Sequence, residues 1–305
     1  MGGGRNSRHA AARQSADLPA GGEAAEGAAA VLTRCVVLGI GDVASAVAHR
    51  LWTAGSLVVI VSEPWPTVTR RGMAFADAVF DGYAVLEGVV ARRVETKGEV
   101  EALWEERRAI PILVRRDPLE AVEELAPRVL VDARMRKHAA VQPHLCGRAR
   151  LTVGLGPGFV AGEQVDVAIE TSWEELGRIR WEGANRPLAG EPRAIAGVQR
   201  ERYVYAPMSG LWRTERQLGE SVVAGEPVAR LVGANGEEVG IAAPIAGLIR
   251  GLTRDGVPVE QGTKVLEIDP RGLGGQWRGI GERPRRIAEG VVEAVQLAET
   301  ALRSG

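Results

Sequence analysis

The stretch "VVLGIGDVASAVAHRLWTAG", Val36 to Gly55, constrains this chain more than any other. A short apolar run ends in Gly39-Ile40-Gly41, and a helical stripe of Val43, Val47 and Leu51 begins at once, with Ala44 and Ala48 beside it. Gly55 stops that helix, and "SLVVIVSE" follows as a second buried strand ending at Glu63. Strand, Gly-x-Gly, helix, strand and acid is the order of a dinucleotide-binding unit. In that reading Gly39 permits the tight turn, and Gly41 lets the backbone approach a phosphate at the helix amino terminus. Ala44 holds the third-glycine position, and Glu63, 24 residues after Gly39, stands near the distance for a ribose-binding acid. Asp42 inside the loop repels a bare pyrophosphate, so it is expected either to cap the helix or to face a ribose, a base or a metal-chelated phosphate.

The alternation continues. Val89 to Val94, Ile110 to Val114 and Arg128 to Ala133 read as strands, with helices over Gly98 to Arg108 and Asp117 to Leu125. Val165 to Thr171 reads as the last strand of this half. The expected fold is α/β, a Rossmann-like doubly wound parallel sheet, with ligands beyond the carboxyl ends of its strands. Those ends carry Gly39, Glu63, Arg115 and Asp132, the last followed by Arg134 and Lys137. A second glycine-rich loop holds Gly154, Gly156 and Gly158 around Pro157, either as a structural turn or as the opposite wall of the cleft. Arg70, Arg71 and Lys137 are candidate phosphate contacts; adjacent helical positions diverge, so one arginine of the pair is expected to be a surface charge.

The carboxyl-terminal half contains a repeat. Ala206 to Leu231 and Ala243 to Ile268 each run Ala-Pro-x-x-Gly, an apolar pair, Gly-x-x-Val, and a second Gly before an alternating strand. Asn235-Gly236 between them is a type I′ hairpin signal. Two such β units resemble the biotinyl/lipoyl hammerhead, which would make residues 203–270 a small all-β domain. That family carries its cofactor on a lysine at the hairpin tip, and Asn235 stands there instead, so no covalent biotin or lipoate is expected. Residues 271–305 are expected to form a tail with an amphipathic helix striped by Ile287, Val291, Val295 and Ala298.

The first 31 residues are Gly, Ala, Arg and Ser with almost no bulky apolar side chains, and are expected to stay disordered. The nucleotide-binding domain then covers 32–172, and 173–202 connects it to the β domain. A net charge of -1, from 38 basic and 39 acidic residues, gives no global field toward nucleic acid or an anionic membrane. No run reaches the roughly 18 apolar residues of a membrane span, and the two cysteines, Cys35 and Cys146, are too few for a disulfide framework. The expectation is a cytoplasmic protein with reduced thiols, without nucleic-acid or membrane partners, and open to homo-oligomerisation. Of the four histidines, His9 lies in the tail, His49 in the first helix, and His138 and His144 beside Cys146. No His-x-x-x-His, Cys-x-x-Cys or Gly-x-Ser-x-Gly pattern is present, so no metal site is expected.

From about residue 34 to 298 the chain also resembles a bacterial family, the selenium-dependent molybdenum hydroxylase system proteins, or YqeB-type molybdenum cofactor biosynthesis proteins. The resemblance is carried by "GIGDVASAVAHRLWTAG", "TRRGMAFADAVFDG", "VDARMRK", "APMSG", "RRIAEGVVEA" and the segments around "GLGPGFVAG" and "GLIRGL". It implies an accessory role in maturing selenium-dependent molybdenum hydroxylases, with a client hydroxylase or another maturation factor as partner. The ligand would be a nucleotide (NAD(P), ATP or CTP) or molybdopterin dinucleotide. The chain departs from the family after "ETSW", where Glu174-Glu175 stands in place of Arg-Gly-His. Two other functions stay open: an NAD(P)-dependent oxidoreductase, and a non-catalytic scaffold with a vestigial nucleotide fold.

Overall fold

The computed structural model describes residues 32–137, 141–187 and 192–304. The amino-terminal tail, with His9, and His138 lie outside the described residues. The strand and helix expected around the first glycines form as β1 (Arg34–Leu38) and α1 (Asp42–Thr53), and β2 (Leu57–Ser62) follows. Cys35, Val37, Val58 and Ile60 point to one face of the sheet, and Val36, Leu38, Val59 and Val61 to the other. All of them are buried, which is why these strands read as unbroken apolar runs.

Next come α2 (Ala78–Asp81), β3 (Tyr83–Leu86), β4 (Val89–Val94), α3 (Lys97–Glu106), β5 (Ile110–Val114), α4 (Glu120–Leu125) and β6 (Val129–Asp132). Helix α3 begins at Thr96, whose hydroxyl accepts from the Glu99 amide while the Glu99 side chain returns to the Thr96 amide. After β6 the chain forms β7 (Leu151–Leu155), β8 (Val160–Ala161), β9 (Val167–Ile169), β10 (Ile179–Arg180) and β11 (Gly183–Ala184). One nine-stranded sheet results, in the order β10-β9-β7-β6-β1-β2-β5-β4-β3.

This sheet corrects the Rossmann-like expectation. It is mixed: β3 runs antiparallel to β4 and β10 antiparallel to β9, so both edges turn back. The chain makes the first reversal at Glu87-Gly88, both in left-handed backbone (φ 44° and 83°), the geometry of a tight hairpin. A parallel crossover cannot pass through a two-residue turn. No described helix crosses from β6 to β7. The face carrying α1 is closed instead by the far end of the chain, where α5 (Glu282–Ser304) packs Ile287, Ala288, Val291 and Ala294 into the same core as Val43 and Val47.

The carboxyl-terminal β part likewise departs from a separate small hammerhead-like domain appended to a parallel sheet. It consists of β12 (Tyr203–Tyr205), β13 (Gly210–Arg213), β14 (Ser221–Val222), β15 (Pro227–Val232), β16 (Glu238–Ala242), β17 (Gly247–Leu252), β18 (Pro258–Val259) and β19 (Lys264–Asp269). These make two four-stranded sheets, β12-β19-β17-β14 and β16-β15-β13-β18. The repeats exchange strands: β14 of the first pairs with β17 of the second, and β18 of the second pairs with β13 of the first. Gly210 and Gly247 are equivalent positions in the two copies, and each lies so close to a strand-end carbonyl, of Val232 and Asp269, that a Cβ could not fit. The turn between β15 and β16 is not type I′: Gly236 is left-handed (φ 84°), Asn235 is not, and the Gly236 amide closes onto the Gly233 carbonyl.

The β part is tied to the α/β part through residues 69–81. The Leu252 amide donates to the Thr69 carbonyl at 2.8 Å, and Arg71 Nε donates to the Leu252 carbonyl at 2.9 Å. Arg254 pairs with Asp81 at 2.6 Å and with Asp77 at 3.4 Å. No helix of the described residues is long and apolar enough to cross a membrane.

Candidate anion-binding site

The glycine turn after β1 is built as the sequence implies, but only half of it is open. Gly39 needs its glycine for a φ of 98°, and a Cβ there would meet the Arg134 Cα at 3.0 Å and the Ala133 carbonyl at 3.2 Å. Its amide is spent on the Val61 carbonyl at 2.9 Å. At Gly41 a Cβ would meet nothing within 4 Å. Gly41 is also the residue that caps α1, so Asp42 is not the N-cap; it is the first residue of the helix. Its Oδ1 accepts from the Val43 amide at 3.0 Å, and the amides of Asp42 and Ala44 have no acceptor among the described residues. Ala44 is fully buried where the helix approaches the sheet.

Beyond α1 the cations gather. Arg70 donates Nη1 to Asp42 Oδ2 at 3.0 Å, and Nε and Nη2 to the two oxygens of Glu267 at 2.9 and 3.0 Å. Glu267, on β19, is fully buried, and it also accepts from Arg202 at 2.7 Å and from Lys264 at 3.2 Å. Burial opposes its charge, but Arg70 and Lys264 outweigh that and hold its carboxyl well below the usual range. Lys264 and Arg202 also lie over the Tyr203 ring, at 4.7 and 4.1 Å from its centroid. Asp42 shows the same balance: burial would raise its carboxyl, while Arg70, Arg283 and Lys264 keep it low and ionised.

Two cations of this cluster are uncompensated. Lys137, in the loop after β6, makes no ion pair or side-chain hydrogen bond among the described residues, although it lies within electrostatic reach of Arg283, Lys264, Asp42 and Arg70. The residue as a whole is exposed, yet protein crowds around its ammonium group; this burial, with Arg283 and Lys264, pushes it down to about 8. Arg283, in the first turn of α5, donates Nε to the Thr171 carbonyl at 3.0 Å and has no carboxylate within ion-pair distance among the described residues. Burial also pulls its guanidinium below the usual value. Asp42 and Arg70 keep about a quarter of their side chains accessible, so the cluster is not sealed.

The other expected site residues serve the fold. Arg71 forks onto Asp77 at 2.9 and 2.8 Å, so neither arginine of the pair is a free surface charge or an open phosphate contact. Buried Asp132 is consumed by Arg134, which donates Nε at 3.0 Å and Nη2 at 2.5 Å. Exposed Glu63 leaves β2 toward Arg134; burial nonetheless raises its carboxyl, and Arg134 works the other way. Gly154 makes room for Phe159, whose ring would lie 2.5 Å from a Cβ, while Gly156 and Gly158 turn in left-handed backbone against Met135 and Gln142. The Gln142 side-chain Nε2 donates to the Pro157 carbonyl at 3.0 Å. This loop is a packed turn rather than a phosphate cradle. Lys264, Arg283, Tyr203 and Glu267 were not singled out from the sequence. Their signal is positional, since Lys264 stands in the second copy of the repeat and Arg283 just before "RRIAEGVVEA". Among the described residues no group of three or more His, Cys, Asp or Glu is placed to hold a metal ion.

No family model matches the chain. Over 269 residues, 86% of its length, it is 38% identical to "Uncharacterized protein YqeB" of Escherichia coli (strain K12), and it spans 47% of that protein. Among solved structures, the ectoine utilization protein EutE (DoeB) from Ruegeria pomeroyi aligns at 12% identity over 78% of this chain and 86% of that one, with a TM-score of 0.24. A succinylglutamate desuccinylase from Silicibacter sp. TM1040 aligns at 11% identity over 77% and 84%, also with a TM-score of 0.24. Overlaps of that quality carry no argument about architecture or activity, and the correction of the fold rests on the strand order and directions above.

Proposed function

We propose that this chain, a relative of YqeB over most of its own length, binds a phosphorylated ligand where α1 begins, and that it serves as an accessory protein in maturing molybdenum hydroxylases. One observation carries the binding half of the proposal: Lys137 and Arg283 stand within electrostatic reach of Asp42, and neither has a carboxylate within ion-pair distance among the described residues. Charges held together against their mutual repulsion are stabilised by an anion that enters between them. The open space at Gly41 and the positive end of α1 adjoin Asp42, the acid these cations share. A nucleotide, or the nucleotide end of molybdopterin dinucleotide, has the charge this requires. The maturation half is supported by the sequence resemblance alone, and the chain spans about half the length of the curated relative it matches.

Thermal denaturation with NAD, NADP, ATP, CTP and molybdopterin dinucleotide tests the binding. A ligand at 100 times its dissociation constant adds about 2.7 kcal/mol of stability. The expected result is a shift with at least one of them that the double substitution Lys137→Met, Arg283→Gln removes. No shift with any ligand returns the chain to a scaffold. Turnover of NAD(H) with a carbonyl substrate would replace the proposal with an oxidoreductase.

A further inference from the structure

The charge balance of the crevice, taken together with the binding reading above, narrows the ligand. Four cations (Arg70, Lys137, Lys264 and Arg283) surround two carboxylates, Asp42 and Glu267. Adding Arg202 and Arg250 on Glu267, with Asp269 as the further acid on Arg250, and Glu170 near Arg283 together with its own partner Arg180, leaves the surplus no smaller. Both carboxylates are held ionised by these cations, so neither can take up a proton to change the balance near neutrality. The surplus is two positive charges, and it is localised on Lys137 and Arg283. The cations come from the connection after β2, the loop after β6, β19 and α5, so the arrangement is set by the fold and not by one helix end.

We infer that the crevice takes a doubly charged phosphoryl group, that of a phosphomonoester or of free phosphate, in preference to a singly charged phosphodiester. A dianion cancels the surplus; a diester leaves one cation facing the others. The two preferred sources share this chemistry and differ in what is attached to the phosphorus.

The groups facing Lys137 give the inference a pH signature. These are Arg283 from α5, Lys264 from β19, Asp42 from α1, and Arg70. A phosphomonoester gains its second charge near pH 6, and Lys137 loses its own above about 8. Affinity for a dianion therefore rises through about pH 6 and falls above about pH 8.

Calorimetric titration of the protein with AMP, inorganic phosphate, cyclic AMP and NAD at pH 5.0, 7.5 and 9.5 decides the matter. AMP is expected to bind about tenfold more tightly at pH 7.5 than at 5.0, following the loss of the second charge, and free phosphate, whose second proton leaves about one pH unit higher, should show a still steeper rise. Cyclic AMP, a singly charged diester, should be weaker by about tenfold and flat between those two values. AMP tighter than phosphate assigns the site to an ester, and the reverse assigns it to free phosphate. In Lys137→Arg the neutral-pH affinity should persist while the fall at pH 9.5 disappears, a result that misfolding cannot imitate. Equal, pH-independent affinities for AMP and cyclic AMP overturn the preference for a dianion and leave anion binding standing. Failure of all four ligands overturns both.

Discussion

Arg70 shows what single residues do here. Its guanidinium forks onto a fully buried carboxylate and uses its remaining arm on the first acid of α1. Arg70→Met leaves Glu267 with Arg202 and Lys264 but without its bidentate partner, and should lower stability by about 3 kcal/mol, read as a lower denaturation midpoint. Gly41→Trp should behave oppositely: its backbone is in a region open to any residue and a Cβ meets nothing, so the protein should fold while the crevice is filled and ligand-induced shifts vanish. The sequence made Gly39, Gly41 and Asp42 visible because turns and helix starts have local signatures. It could not show that Asp132 is consumed by Arg134, or that Gly154 exists for Phe159. Those roles depend on which neighbours the fold delivers.

At the scale of elements, the strands buried on both faces were the most legible, since Val36 to Leu38 and Val58 to Val61 allow no other placement. Edge strands were the least legible. β3 is a four-residue apolar run, Tyr83 to Leu86, whose Tyr83 and Val85 are nonetheless exposed, so its composition does not announce an edge strand, and the Glu87-Gly88 reversal lacks the usual Asn or Asp. The position of α5 was equally hidden, because an amphipathic stripe says that a helix packs but not against what. Its placement depends on two glycines. Gly290 on α5 lies against the Gly177 backbone, and Gly177 against that of Arg286, with no room for a Cβ on either. Gly290→Ala should therefore cost about 1–3 kcal/mol in chemical denaturation, while Gly274→Ala, where a Cβ meets nothing, should cost far less.

Over the whole molecule, the carboxylates and Lys137 all make stability rise with pH, each in its own window. Glu267, Asp42, Glu170 and Asp269 are all held below their ordinary values, so the stability they contribute is complete above the unfolded carboxylate range and is lost as pH falls through it. Lys137 is displaced in the same direction, here because burial and its cationic neighbours disfavour its charge. Between about 8 and its ordinary value of 10.5 the unfolded chain holds a proton that the folded one has released, so its contribution to stability rises with pH. Urea midpoints should fall below about pH 4.5, and the stabilisation produced by added phosphate at pH 7.5 should shrink at 9.5. The seam that assembles these charges was invisible as such in the sequence: "TRRGMAFADAVFDG" offered Arg70 and Arg71 only as candidate phosphate contacts, yet with Asp77 they join the two parts.

The exchanged strands of the repeat have a further consequence. Because each copy completes its sheet with a short strand lent by the other, neither is a free-standing unit that could be cut out, shuffled or lost. A break in the Gly233–Gly236 turn would sever the covalent link between the copies and leave that mutual debt intact, so the two fragments should co-purify as one folded body. The duplication is thereby locked in place: once the copies had come to rely on each other, deleting either would orphan the survivor.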